Sequence, residues 1–239
     1  MNAEVERMAH DFFGYGRWDA PYWFIGPEQG GGENESRAAI FDELQQDKAA
    51  PDGLCDCRDF HGGIQELRWH FIEPVDLQFT WRKLMLLLMT YLSRPTDIES
   101  MREYQRCRWG RQCGETCIID LSGLSFGSFR ESSSFRKEVS DGVAADLREL
   151  VNKRANFVCA KIREVRPSLI VFYGYSYQRY WTKIAGDDLP ERNEAKKTAG
   201  GVVVYAQHPA AYGKGIDSSD LHWCKLGRMA RQAMEGRKR

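Results

Sequence analysis

The sequence has no long apolar run. Its longest, Leu84 to Met89, falls far short of the roughly 20 residues that cross a bilayer, so no membrane partner is expected. It has no excess of charge: 34 basic residues stand against 34 acidic ones in 239. A positive field over the whole molecule is thereby excluded, and any nucleic-acid contact has to draw on a local cluster. Among the 7 cysteines, Cys55, Cys57, Cys107, Cys113, Cys117, Cys159 and Cys224, there is no C-x-x-C pair. The odd count and an N-terminus (MNAEVERMAHDFF) without the charged-then-apolar layout of a signal peptide argue against a disulfide framework. A soluble, cytoplasmic protein is the expectation. Cys55-x-Cys57, with His61 nearby, and the group Cys107, Cys113 and Cys117 leave a metal site as the alternative to free thiols; free thiols and no metal are expected. There is no G-x-G-x-x-G, and Gly213-Lys214-Gly215 lacks the preceding glycine and following Ser or Thr of a Walker loop, so no cofactor is implied.

What is present suits an α/β protein. A hydrophobic content of 42% provides for a sizeable core, and the length fits a single domain over 1–239, with 232–239 a basic tail. Continuous apolar runs at 21–26, 116–121, 168–173 and 201–206 read as buried strands. Helical patterns cover 3–13, 35–46, 79–93, 99–108, 143–165, 176–185 and 219–234, the fifth stopping before Pro167 and the last capped by Ser218 or Ser219. Gly, Pro and Asp mark 47–62 as a loop, and a polar loop follows the helix at 176–185. Strands separated by helices imply a parallel sheet covered on both faces.

In such a sheet, ligands bind beyond the carboxyl ends of the strands. The residues there are Glu28 and Gln29, then Asp120 and Ser122, then Tyr173 and Gly174, then His208 and Pro209. Each has a plain alternative. Glu28 reads equally as a solvated loop acid, Asp120 as a backbone cap, and His208 as a turn residue. Together, polar groups at three strand ends define a candidate site.

The stretch FIGPEQGG resembles the first motif of the uracil-DNA glycosylase superfamily, a strand, a glycine and a catalytic acid two residues on. VVYAQHPAAYG resembles the second motif, a strand followed by His-Pro-Ser, and VRPSLIVFYG resembles the strand between them. The order and spacing match over residues 22 to about 230. The resemblance implies a three-layer α/β/α sandwich with a central, mainly parallel four-stranded sheet, and a monomer acting on DNA. The chain departs from the pattern in four places: Glu28 stands for the usual Asp, Gln29 for a proline, Ala210 for the serine, and Asp120 for the Asn that reads uracil.

The same resemblance assigns roles. Glu28 is the catalytic carboxylate, stabilising an oxocarbenium-like transition state, and His208 bonds the base oxygen. Glycines after the first strand let backbone approach an extruded nucleotide. Asp120, with Gln29 and Ser122 near it in the pattern, faces the base; an ionised Asp only accepts, which favours the N4 amine of a cytosine-type base. The combination resembles anti-phage glycosylases that excise glucosylated hydroxymethylcytosine. Phe41, thirteen residues after Glu28, is either the aromatic that stacks on the base or a core residue. Tyr212 stands where a duplex wedge is inserted, and Lys214, Lys225, Arg228 and Arg231 flank it for phosphates, with Arg106, Arg108 and Arg111 as a second patch. The expected function is a DNA glycosylase for a modified cytosine. The alternatives are a uracil or mismatch glycosylase, a catalytically silent DNA- or nucleotide-binding member, and a hydrolase of free nucleosides.

Overall fold

The computed structural model of the chain describes residues 3–27, 29–30, 33–46, 52–126, 145–213 and 216–236. In chain order the strands are β1 (Gly14–Gly16), β2 (Tyr22–Gly26), β3 (Gln29–Gly30), β4 (Leu54–Cys55), β5 (Thr116–Asp120), β6 (Ser125–Phe126), β7 (Leu169–Tyr173), β8 (Glu194–Lys197) and β9 (Val202–Ala206). The helices are α1 (Ala3–Asp11), α2 (Asn34–Gln46), α3 (Cys57–Gly62), α4 (Phe79–Tyr91), α5 (Ile98–Cys107), α6 (Ala145–Val165), α7 (Gln178–Ala185) and α8 (Asp220–Glu235).

The main sheet is ordered β4-β1-β5-β2-β7-β9-β8. Its centre, β5-β2-β7-β9, is parallel throughout and consists of the four expected strands. The sheet as a whole corrects the four-stranded expectation: seven strands are present and their directions are mixed. β1 pairs antiparallel with β5 and parallel with β4, and β8 pairs antiparallel with β9.

The three additional strands carry weak composition signals. β1 is Gly-Tyr-Gly, and a Cβ at Gly14 would stand 2.0 Å from the Ile118 carbonyl oxygen, at φ +133°. Only glycine permits that approach. β8 is Glu-Ala-Lys-Lys, a polar edge strand whose lysines blunt further pairing. β4 and α3 lie inside the expected loop 47–62. There Asp56 caps α3 by accepting from the Arg58 and Asp59 N–H groups, and Arg111 Nε donates to the same carboxylate at 2.6 Å. A partner 55 residues away in sequence decides that element.

Side chains alternate along the central strands, as the pleat requires. Phe24, Ile118, Val171 and Val204 join one core with Phe12, Leu87 and Trp223 from α4, α8 and the segment after α1. Trp23, Ile25, Ile119 and Phe172 join a second core with Val151, Ala155 and Trp181 from α6 and α7. Helices therefore cover both faces.

α4 and α8 run side by side in the same direction. Lys83 Nζ donates to the Ser218 carbonyl at 2.7 Å and to Asp220 at 2.6 Å, and further along a Cβ on Gly227 would lie 2.4 Å from the Leu87 carbonyl oxygen. Of the two expected caps, Ser219 is the one used, its Oγ accepting from the His222 N–H. The helix continues to Glu235, so 232–235 form its last turn instead of opening the basic tail.

Candidate active-site edge

The carboxyl ends of β5, β2, β7 and β9 lie in a row. Strand spacing puts Asp120 and the end of β9 about 14 Å apart at the backbone. Backbone bonds tie adjacent ends together: the Leu121 and Ser122 N–H groups donate to the Gly26 and Pro27 carbonyls at 2.9 and 2.8 Å, and the Gly174 N–H donates to Ala206 at 3.1 Å. Beyond this edge the β2 and β5 chains pair once more as β3 and β6, with Gln29 opposite Ser125.

Gly26 is needed because Tyr173 covers it. A Cβ there would lie 2.2 Å from both Cζ and Oη of the phenol. The Tyr173 ring also faces His208, with centroids 5.7 Å apart at 51°. Tyr173 is thus the aromatic wedged between two strand ends, and the sequence signal for it is only its position as the last residue of an apolar run.

His208 is half-buried, two residues past β9. The Ala210 N–H donates to its Nδ1 at 3.1 Å. In the neutral ring that leaves the proton on Nε2, which makes Nε2 the donor. Gln207, unremarked in the sequence, is buried and holds the loop: its Nε2 donates to the Asp217 carbonyl at 2.7 Å.

Asp120 ends β5 and is 5% exposed. Its charge is felt by the buried Tyr15 and Cys57, whose pKa values are pushed up first by burial and further by neighbouring acidic groups that include Asp120. Ser122 is buried, and its Oγ accepts from the Leu124 N–H at 3.3 Å, so its hydroxyl shapes the turn.

The strand end is fixed from below by Arg154 of α6. Its guanidinium is buried and directs five hydrogen bonds to five main-chain carbonyls: Leu121, Ala9, His10, Phe12 and Asp120. These are all the N–H groups a guanidinium has. Burial lowers its pKa to about 9, which still leaves it charged at neutral pH. In the sequence it is one of several charged residues on a long helix, with nothing to single it out.

The remaining candidates divide. Phe41 takes the packing alternative: it is 2% exposed and meets Phe12 edge-on at 5.4 Å. Tyr212 is 77% exposed, and Lys225 and Arg228 are exposed on α8 with no ion pair among the described residues. The second basic patch is largely neutralised, Arg106 pairing with Glu103 and Arg111 with Asp56. Glu28 and Lys214 lie outside the described residues, as does the side chain of Gln29. All seven cysteines are free thiols. No match to a family model, to a characterised protein or to a solved structure was found for the chain.

Proposed function

We propose that the chain is a DNA glycosylase with a uracil-DNA glycosylase-like fold that extrudes a modified cytosine-type nucleotide, excises its base and leaves an abasic site. The observation that supports this reading most is the pairing of an acceptor and a donor on one sheet edge. Asp120 ends β5, and His208, with its neutral-state proton on Nε2, follows β9.

In this reading Asp120 accepts from the N4 amine of the base. His208 donates from Nε2 to the base oxygen beside the scissile bond as that oxygen gains charge. Glu28, next to Pro27 in sequence, orients a water and stabilises the oxocarbenium-like sugar. Tyr173 replaces Phe41 as the aromatic wall. Arg154 is a positioning residue for Asp120, since it holds the carbonyls of Asp120 and Leu121. Tyr212, Lys214, Lys225 and Arg228 meet the DNA beside the site. A bulky mark such as the glucosylated hydroxymethyl group of phage cytosine is the proposed substituent, and defence against such DNA the proposed role.

Competitive excision from DNAs carrying modified cytosine and uracil tests the base assignment. Asp120→Asn adds a donor at the same edge, so the preference should move toward uracil by about ten- to a hundredfold. An unchanged preference would remove Asp120 as the base reader.

A further inference from the structure

β7 lies between β2 and β9 in the sheet. The residue that follows it, Gly174, therefore stands between the chain that leads into Glu28 and the chain that carries His208. A Cβ built on Gly174 would lie 3.2 Å from Pro27 Cγ and 3.8 Å from His208 Cδ2. One bare α-carbon is thus within reach of both neighbours. At 3.2 Å, Pro27 would have to give way to any side chain placed there. The absence of a side chain sets how closely the two segments approach.

The backbone at Gly174 is held in a conformation that L side chains rarely adopt, φ +89° and ψ 106°. Its N–H donates to the Ala206 carbonyl at the end of β9, at 3.1 Å. Its carbonyl accepts from Trp181 Nε1 at 2.8 Å and from the Tyr177 N–H at 3.5 Å. Trp181 belongs to α7 and is fully buried. It lies in the core opposite the one that Tyr173 joins, its ring centroids 5.5 Å from Phe172 and 5.9 Å from Tyr177. A phenylalanine would supply apolar packing of the same kind. What the indole adds is one N–H, and that N–H goes to Gly174.

We propose that Gly174 and Trp181 are positioning residues of the strand-end site. Gly174 is the spacer that sets the distance between Pro27 and His208, and Trp181, through the Gly174 carbonyl, holds that spacer in place from the far side of the sheet. The geometric part of this proposal stands by itself; its effect on base release rests on the glycosylase reading.

Imidazole nitrogen NMR on the full chain tests the geometry without any substrate. The chain has 5 histidines, so the others serve as internal controls for His208. Gly174→Ala and Trp181→Phe should each move the His208 ring resonances. Those of His61 and His70, which pack against Trp81, should stay in place. Trp181→Phe is the milder change and decides the matter if Gly174→Ala does not fold. The single-turnover rate of base release should fall about a hundredfold in Gly174→Ala and about tenfold in Trp181→Phe, with DNA affinity unchanged, as a misplacement of about 1 Å would cause. A selective His208 shift in a parent that releases no base supports the spacer and removes the glycosylase reading. Unmoved His208 resonances in folded Trp181→Phe would overturn the proposal. So would equal movement of all the histidines, which marks Trp181 as a core residue alone, or an unchanged release rate in both folded variants of an active parent.

Discussion

His61 sits in an aromatic enclosure, its ring 5.0 Å from Tyr15 and 4.9 Å from Trp81, with Nδ1 bonded to the Cys57 carbonyl at 2.8 Å. Burial, helped by the nearby Arg37 charge, lowers its pKa from 6.5 to about 3. The unfolded chain therefore takes up a proton below pH 6.5 that the folded chain refuses. The stability this group contributes is complete above pH 6.5 and is lost as pH falls toward 3, at about 1.4 kcal/mol per pH unit. Urea midpoints at pH 7, 5.5 and 4.5, compared between the parent and His61→Gln, should show a steeper loss in the parent. Parallel pH dependences would mean that His61 is protonated inside the fold. The burial of His61 and the anchoring role of Gln207 were illegible in the sequence because they come from what surrounds each residue. The positions of Asp120, Tyr173 and His208 at strand ends were legible because the end of an apolar run is itself the signal.

Arg154 acts on the scale of elements. It joins the end of α1 and the segment after it, the end of β5, and α6 through carbonyls alone. Removing it takes away the five donors that these carbonyls share. Arg154→Met should cost about 3–5 kcal/mol, the range seen when a buried charged network loses one partner. Arg154→Lys should recover only part, since an ammonium has three donors for five carbonyls. Chemical denaturation gives the answer, and a loss under about 1 kcal/mol would show that water replaces the guanidinium. The same scale separates what was read from what was not. The four central strands are runs of β-branched and aromatic residues buried on both faces, and they were found. β1, β4 and β8 form through close glycine approach, a distant arginine and edge pairing, which local composition does not carry.

For the whole molecule, the charge is balanced and helices cover both faces of the sheet, and the proposed chemistry is placed at the row of strand ends. In the proposed glycosylase a carboxylate at position 28 works with Asp120 and His208 to release a modified cytosine from DNA. The most direct test is mass spectrometry of bases released under single-turnover conditions. The substrates are plain, uracil-containing, hydroxymethylated and glucosylated DNA, with the parent chain and Glu28→Gln compared. The account predicts release of a modified cytosine by the parent and a fall of about 10²–10⁴ in rate for Glu28→Gln, with DNA binding largely retained because the carboxylate acts on the transition state. Release of uracil alone, or a Glu28→Gln rate within about tenfold of the parent, would contradict it.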